Sequence, residues 1–260
     1  MRVVFCSHKF DLETFMAINR QAFESELSRI FKLNGLASLL DKKKSELFYL
    51  LTERMLEENE KYNLTAITEP EKIILNHYAD SVTLAAKISK GARLIDVGCG
   101  AGFPTLPLAI VREDISILAM DSTAKRINYV NETASLLGLA NVKAIVSRAE
   151  DAAKLGEYRE KFDYATARAV AEMRILTELC LPFVKIGGVM LAMKGKNAEY
   201  ELSGAKKAIS LLGGEAATFE SVTLKGGAEE LSHPIIIIKK KTKTPQNYPR
   251  PYAQISKKPL

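Results

Sequence analysis

The sequence predicts an α/β protein in which a helical first third precedes a mostly parallel β-sheet with helices on both faces. From residue 91 onward, short apolar runs of strand length alternate with longer segments of helical periodicity, which is the pattern of repeated βα units. Before residue 91 the apolar residues recur only at helical spacing. After the last helical segment two strands follow each other directly, which predicts an antiparallel hairpin at the sheet edge.

The first third contains three predicted helices. The first covers residues 19–33 and ends at the Asn34-Gly35 pair. Asp41 caps the second, which ends near residue 62. The third begins after Pro70 and carries His77 on its apolar face. We therefore divide this part of the chain into an N-terminal extension, 1–18, and a helical region, 19–88.

Strands and helices alternate through the rest of the chain. Seven strands are predicted at residues 93–97, 115–120, 142–147, 163–167, 188–193, 216–224 and 234–239. Helices are predicted between them at residues 104–112, 123–137, 171–183 and 197–212. Five βα units closed by a hairpin is the element order of the class I methyltransferase fold and differs from a classical dinucleotide-binding domain. Residues 89–240 are the predicted methyltransferase domain, and residues 241–260 are a basic tail.

The distribution of charge is more informative than its sum. The chain has 37 Lys and Arg against 31 Asp and Glu, for a formal net charge of +6. Residues 239–260 hold seven of the basic residues and no acidic one, so the remainder is about neutral. A basic tail suggests a polyanionic partner. At 47% hydrophobic and 26% charged residues, the composition excludes a largely disordered or fibrous chain.

Several classes of protein can be set aside. No apolar run approaches the ~18 residues of a membrane span, and the N-terminal run is too short for a signal peptide. The three cysteines are too few and too scattered for a disulfide framework or a zinc site. We therefore expect a cytoplasmic protein with no metal, no membrane association and no obligate protein partner.

The strongest chemical signal is a glycine-rich turn after the first strand of the sheet. It reads DVGCGAGFP over residues 96–104, with Phe103 where a dinucleotide-binding G-x-G-x-x-G would need its third glycine. No Lys-Ser or Lys-Thr follows, so the turn is not a P-loop. Asp121 ends the second strand, where an acid can accept both hydroxyls of a ribose. The combination resembles the S-adenosylmethionine site of class I methyltransferases, although Asp96 and Asp121 would also serve as ordinary caps.

The residues exclude some methyltransferase chemistries. An adenine amino-methyltransferase typically has an (N/D)-P-P-(Y/F) segment after the fourth strand, where this chain has Thr166-Ala-Arg168-Ala. Methylation at C5 of a pyrimidine needs a cysteine nucleophile. Cys180 lies within an apolar helical pattern, which favours core packing. The fourth strand instead ends on Arg168, which would be costly to bury without an anionic partner.

Eight segments together resemble one family: 63–67 (NLTAI), 77–81 (HYADS), 96–110 (DVGCGAGFPTLPLAI), 121–126 (DSTAKR), 148–150 (RAE), 166–169 (TARA), 193–195 (MKG) and 248–250 (YPR). They are similar to the GidB, or RsmG, family from about residue 40 to the C terminus. The resemblance implies methylation of guanine N7 in the 530 loop of 16S ribosomal RNA. The methyl donor would be S-adenosylmethionine, the product S-adenosylhomocysteine, and the partner 16S rRNA in a small ribosomal subunit or assembly intermediate. Cys99 stands where some members have serine.

The resemblance also implies site residues. Those expected around the cofactor, with the glycine-loop residues added, are Asp96, Gly98, Gly100, Gly102, Phe103, Asp121, Ser122, Thr123, Ala149, Glu150 and Arg168. Those expected to meet RNA, with two tail lysines added, are Asn63, Arg126, Lys194, Arg250, Lys257 and Lys258. The candidate catalytic residues are Arg168, Lys194, His77 and Asp80. Some of these residues also have a plainer interpretation. His77 would equally be a structural histidine paired with Asp80, and Arg126 or Glu150 would equally be a solvated charge.

Guanine N7 carries an in-plane lone pair, so its methylation by in-line displacement needs no general base and no covalent enzyme intermediate. Three alternatives remain open at this point. The same fold and loop would serve a class I methyltransferase that acts on another RNA or on protein. A non-catalytic RNA-binding module would not need the glycine loop or Asp121. A dinucleotide oxidoreductase is disfavoured by Phe103 and by the closing hairpin.

Overall fold

The computed structural model describes residues 18–227 and 229–260, and its centre is one seven-stranded sheet. The strands are β1 (Arg93–Val97), β2 (Ser116–Asp121), β3 (Val142–Val146), β4 (Phe162–Arg168), β5 (Val184–Met193), β6 (Thr218–Gly226) and β7 (Glu229–Lys239). Their order across the sheet is β3-β2-β1-β4-β5-β7-β6. Neighbouring strands from β1 to β5 pair in parallel, whereas β7 is antiparallel to both β5 and β6. The predicted parallel sheet with an antiparallel edge hairpin is confirmed.

Helices surround the sheet. They are α1 (Arg20–Leu33), α2 (Lys42–Tyr62), α3 (Pro70–Ile73), α4 (Asp80–Val82), α5 (Thr105–Val111), α6 (Ala124–Leu136), α7 (Ala149–Ala152), α8 (Met173–Cys180), α9 (Ala198–Leu211) and α10 (Tyr252–Lys257). A π-helix, Ile74–Ala79, joins α3 to α4. Asp41 caps α2 as the sequence predicts, and Asn19 caps α1. The short helices α7 and α10 were not predicted.

Two apolar clusters cover the two faces of the sheet. The first joins the N-terminal helices to α5, α6 and one face of the sheet, with Phe31, Phe48 and Tyr78 among its largest fully buried side chains. The second lies between the other face and helices α8 and α9, and contains Phe183. Because α1 and α2 share their core with the sheet, they support the ends of the strands from one side.

The edge hairpin is longer than the sequence predicts. Strands β6 and β7 pair as far as Gly226 and Glu229, whereas the sequence suggested a loop over residues 225–230. Strand β5 pairs only with residues 235–239 of β7, so the remainder of the hairpin extends beyond the sheet. There the Asn34 side chain donates to the Lys225 carbonyl and accepts from the Lys225 amide, which docks the hairpin on the end of α1.

The C-terminal segment, which the sequence marks as a basic tail, is part of the folded protein. Arg159 donates to the carbonyls of Thr244, Pro245 and Tyr248. Lys240 is buried, with its ammonium group against the Leu181 carbonyl and the Thr244 hydroxyl. Burial lowers the pKa of Lys240 to about 8. Several of the seven basic groups therefore hold the segment in place.

Most of the predicted N-terminal extension, residues 1–17, lies outside the described residues. Within the described ranges, no helix has the length and apolar character that crossing a membrane would need.

Candidate active site

The glycine-rich turn places its backbone close to a neighbouring loop. The amides of Gly98 and Cys99 both donate to the Met120 carbonyl at the end of β2, which fixes the start of the turn. Gly98 has φ of +76°, and a Cβ at this position would lie 2.7 Å from the Val170 side chain. Only glycine allows this approach and this backbone conformation.

Asp121 is held at the end of β2 by backbone donors. Its Oδ2 accepts from the Gly100 amide at 3.1 Å, and its Oδ1 accepts from the Thr123 amide at 2.9 Å. Arg126 Nη1 lies 3.4 Å from Oδ2. Each carboxylate oxygen has two lone pairs, so Oδ1 can accept a further donor, and Oδ2 can do so in place of its long contact with Arg126. The arrangement fits the predicted role of holding two ribose hydroxyls.

A cavity of about 320 Å³ opens beside this carboxylate, at the carboxyl ends of the strands. Its size is at the lower end of the ~300–1,000 Å³ range typical of ligand pockets. The residues that border it are Val97, Gly98, Met120, Asp121, Ser122, Arg126, Ser147, Arg148, Ala149, Glu150, Ala169, Val170, Leu179 and Tyr252. We call it the cofactor cavity, because it collects five residues expected there and lies where open α/β sheets bind ligands.

The other expected cofactor residues do not border this cavity. Gly100 and Thr123 act through their amides on Asp121, as described above. Gly102, with φ of +84°, packs against Leu106. Phe103 is buried and stacks on His77 with 4.5 Å between ring centroids. Arg126, expected to meet RNA, instead lies at the cavity wall beside Asp121.

Asp96 lies under the glycine turn and is fully buried. Its Oδ2 accepts from the Thr105 hydroxyl at 2.6 Å, while Oδ1 has no hydrogen-bond partner among the described residues. Burial raises the pKa of this carboxyl to about 6. An unpaired buried oxygen, the close approach of the Gly98 backbone and the carboxylate of Asp121 together fit S-adenosylmethionine in this cavity.

The two cysteines near the site are unsuited to nucleophilic chemistry. Cys99 and Cys180 are both buried, and burial raises the pKa of each thiol. A nucleophilic cysteine needs a lowered pKa and access to its substrate. The interpretation of both as packing residues is consistent with these surroundings.

A second cavity, of about 460 Å³, adjoins the first. Ala169 borders both, so only the end of β4 separates them. The residues around the second cavity are Ile67, Asn76, Asp80, Arg168, Ala169, Met193, Lys194, Gly195, Leu231 and His233. We call it the acceptor cavity. It contains three of the four candidate catalytic residues, and the fourth, His77, lies next to it on the π-helix.

Arg168 lies in the acceptor cavity, although the sequence also assigned it to the cofactor. Its Nη1 donates to Asp80 Oδ2 and to the Asn76 carbonyl, both at 2.8 Å. The guanidinium lies over the Phe103 ring, 5.5 Å from its centroid. Asp80 is thus the anionic partner that a buried arginine requires. Burial, and then the charge of Arg168, lower the pKa of His77 to about 4, so this imidazole is neutral at pH 7.

Lys194, at the end of β5, is held by two acceptors. Its ammonium donates to the Ala171 carbonyl at 2.7 Å and forms an ion pair with Glu201 at 2.7 Å. Glu201 also accepts from the Met173 amide at the start of α8. Lys194 borders the acceptor cavity and, through Glu201, connects it to α8 and α9.

The remaining residues expected to meet RNA are spread over the surface. Asn63 ends α2 in the left-handed conformation and is exposed. Lys257 and Lys258 are exposed at the end of α10. Arg250 forms a bidentate pair with Glu178, with hydrogen bonds of 2.9 and 2.6 Å, so its charge is already matched inside the fold.

Sequence reasoning missed two residues of these cavities. Tyr252 borders the cofactor cavity from α10, a helix that the mixed polar composition of the tail did not indicate. His233 borders the acceptor cavity from β7, one residue before the predicted start of the last strand at Pro234. A lone histidine and a lone tyrosine give no motif, so only the folded chain reveals their positions.

The fold and the paired cavities define a Rossmann-like class I methyltransferase. The solved structures agree on the fold alone: a putative O-methyltransferase from Klebsiella pneumoniae superposes with TM-score 0.52 at 14% identity, over 86% of this chain and 99% of that one. The [4+2]-cyclase SpnF superposes with TM-score 0.52 at 17% identity, over 75% of this chain and 94% of that one.

Sequence comparison identifies the family. The model for GidB, rRNA small subunit methyltransferase G, matches residues 44–231. A ribosomal RNA small subunit methyltransferase G from Clostridium perfringens is 47% identical over 219 residues, 84% of this chain and 91% of the relative. One from Lactobacillus delbrueckii subsp. bulgaricus is 40% identical over 94% of this chain and its own full length. The chain belongs to the GidB family, and it is an S-adenosylmethionine-dependent methyltransferase.

Proposed function

We propose that this protein methylates N7 of a guanine in the 530 loop of 16S ribosomal RNA, within a small ribosomal subunit or an assembly intermediate in the cytoplasm. The family match over residues 44–231, together with a cofactor cavity joined to an acceptor cavity, carries the proposal. Residues 89–240 act as the cofactor-binding domain, and residues 19–88 supply one wall of the acceptor cavity.

The chemistry makes limited demands on the chain. Bound in the cofactor cavity, S-adenosylmethionine supplies a methyl group on a positively charged sulfonium sulfur. N7 attacks with a lone pair that is already free, so the protein acts by positioning and electrostatics. The lowered pKa of His77, which makes its imidazole a weak base, and the paired carboxylate of Asp80 agree with a site that contains no dedicated base for N7.

The residues divide between the two cavities. Asp121 accepts the ribose hydroxyls, and Ala149 and Glu150 border the adenine. Gly98 and Val170 border the cofactor, and the buried Asp96 lies just before the glycine turn. Arg168 and Lys194 line the acceptor side, and Asn63, Lys257 and Lys258 meet the RNA backbone. Phosphate contacts of this kind position an enzyme without reading sequence.

The test is incubation of the protein with methyl-labelled S-adenosylmethionine and small subunits isolated without this modification. We expect label in 16S rRNA and strand cleavage at one 530-loop guanosine after reduction and aniline treatment, which detects N7-methylguanosine. An Asp121→Ala variant is the control and should incorporate far less label. Label confined to another RNA or to protein would contradict the proposal and favour a class I methyltransferase with a different substrate.

A further inference from the structure

The acceptor cavity contains a polar pair that the fold leaves unsatisfied. Asp80 Oδ1 lies 3.0 Å from Nε2 of His233, but the geometry does not make a hydrogen bond. Oδ1 and both ring nitrogens of His233 have no hydrogen-bond partner among the described residues. Both side chains are more than nine-tenths buried and both border the cavity. Buried polar atoms are rarely left unpaired, so an unpaired set indicates a ligand that completes it.

The rest of the cavity suits a flat heteroaromatic ring. Its apolar walls come from three different elements: Ile67 from the segment before α3, Met193 from the end of β5, and Leu231 from β7. Enzymes that modify a base hold it, out of its stack, between apolar side chains and read it by its Watson–Crick edge. The carboxamide of Asn76, at the same cavity, is a further group able to both donate and accept.

We propose that Asp80, at the His233 end of the acceptor cavity, binds the N1–H and N2–H donors of the guanine to be methylated. This inference rests on the function proposed above and adds the group that selects the base. Guanine presents two adjacent donors to the Asp80 carboxylate, whereas adenine presents a lone pair at N1. The pair of donors lies on the opposite side of the purine from N7. A guanine held in this way leaves N7 unobstructed.

The same contact assists the reaction. As N7 forms its bond to the methyl group, the electron pair of the old carbon–sulfur bond remains on sulfur and the positive charge passes to the purine. The cationic purine is a stronger donor at N1 and N2, so its hydrogen bonds to Asp80 strengthen during the reaction. An interaction that is stronger in the transition state than in the ground state increases kcat. Arg168 holds Oδ2 of the same carboxylate, so the two lone pairs of Oδ1 remain for N1–H and N2–H of the base.

The experiment pairs one residue with one group on the base. Small subunits are reconstituted with 16S rRNA that carries either guanosine or inosine at the position that the wild-type protein methylates. Inosine retains N7, O6 and N1–H and lacks only the N2 amino group. We expect the wild-type kcat/KM to fall roughly tenfold with inosine. In Asp80→Asn we expect a lower kcat on guanosine. The kcat/KM for guanosine divided by the kcat/KM for inosine should then lie within about twofold of one.

Matched variants separate this role from general damage. Glu150→Gln alters a residue that borders only the cofactor cavity, and it should change the KM for S-adenosylmethionine. It should keep in full the loss of kcat/KM that inosine causes in the wild type, which we call the inosine effect. Asp80→Asn should bind S-adenosylmethionine in calorimetry as the wild type does. His233→Ala opens the polar end of the cavity and should reduce the inosine effect several-fold. Ser232→Ala, at the exposed neighbouring position in β7, should keep it.

The two proposals fail in different ways. An inosine effect that is absent in the wild type, or equally large in Asp80→Asn and His233→Ala, would overturn the assignment of Asp80 while the methyltransferase function stands. A wild-type protein that leaves every guanosine N7 of the subunit unmethylated would overturn the proposed function itself.

Discussion

The carboxylate of Asp121 is oriented before any ligand binds, because two backbone amides already fix its two oxygens. The donors come from the glycine turn at Gly100 and from the start of α6 at Thr123. Preorganisation of this kind means that the carboxylate loses little conformational entropy when it accepts a ribose. The role of Asp121 is therefore one that a single substitution can test.

We predict that Asp121→Ala weakens S-adenosylmethionine binding by about a hundredfold or more, as measured by isothermal titration calorimetry. Loss of hydrogen bonds to a charged acceptor typically costs about 1.5–3 kcal/mol each. Asp151→Asn, which removes a negative charge from the exposed side of α7, is the control and should retain wild-type affinity. Equal affinities in the Asp121→Ala variant and the wild type would refute the ribose assignment.

Arg168 and Asp80 form a second preorganised pair. From the sequence alone, Arg168→Ala is expected to abolish methyl transfer while the protein stays folded. The structure adds a cost, because Asp80 is buried and Arg168 is its hydrogen-bonded cationic partner. Removal of one member of a buried pair typically destabilises a protein by about 3–5 kcal/mol.

Arg168→Ala should therefore lower the free energy of unfolding measured in urea by roughly 2–4 kcal/mol, slightly less than for a fully buried pair because Arg168 is partly exposed. The double variant Arg168→Ala/Asp80→Asn should recover a large part of this loss, since the uncompensated charge is gone. No recovery in the double variant would mean that Arg168 stabilises the fold through its contact with Phe103 and not through Asp80.

At the scale of elements, the sequence predicts the scaffold well and the acceptor cavity poorly. The strands that carry Asp121 and Arg168 follow from apolar runs, and the glycine turn follows from its spacing. The π-helix Ile74–Ala79 does not, because its apolar residues fit an ordinary helix equally well. Yet this π-helix is the element that places Asn76 and His77 beside Arg168.

The hairpin gives a second example. The sequence predicts a loop over residues 225–230 and a last strand that begins only at Pro234, so residues 229–233 fall outside the predicted strands. In the structure they pair with β6, and the Pro234 carbonyl accepts from the Lys194 amide. Tertiary contacts with α1 and the sheet make this segment a strand, and local propensity cannot reveal those contacts.

Helix α10 is an element whose side chains serve the cofactor cavity. Tyr252 borders that cavity together with Ala149 and Glu150, while Ile255, one turn later, is fully buried. We predict that Tyr252→Ala weakens S-adenosylmethionine binding about two- to tenfold, since an aromatic contact contributes roughly 0.5–1.5 kcal/mol. Calorimetry should show near-normal affinity for Tyr252→Phe and for the exposed control Gln254→Ala. If Gln254→Ala lost twofold or more in affinity for S-adenosylmethionine, binding would depend on the intact helix and not on the Tyr252 ring.

One ion pair contributes to the connection of α10 to the body. Glu178 on α8 is fully buried and accepts from the backbone amide of Arg250 as well as from its guanidinium. We predict that Arg250→Ala reduces the free energy of unfolding in urea by roughly 3 kcal/mol, because it leaves a buried carboxylate without its partner. Lys243→Ala, an exposed charge removed from the same segment, should be neutral in this measurement. Equal stability of the two variants would contradict the anchoring role.

At the scale of the whole molecule, the formal net charge of +6 is less concentrated in the C-terminal segment than the sequence suggests. Of the seven basic residues in the C-terminal segment, Lys240, Lys241 and Arg250 have acidic partners within the fold. Lys257 and Lys258 are exposed, and they follow the helix whose first residue, Tyr252, borders the cofactor cavity. This pair therefore adds positive charge near the mouth of the site, where Arg126 and Arg148 already border the cofactor cavity.

Exposed lysines that neutralise phosphates release counterions, so each contributes about 0.7–0.9 to the slope of log affinity against log salt concentration. We predict that Lys257→Ala/Lys258→Ala lowers this slope by about 1 to 2 for binding to unmethylated small subunits, measured by filter binding across a salt series. Affinity for S-adenosylmethionine should not change. The control Lys206→Ala/Lys207→Ala removes the same charge from the exposed side of α9 and should leave the slope intact. If both double variants lowered the slope equally, binding would depend on the overall charge of the molecule, and the position of α10 beside the site would have no part in docking the RNA.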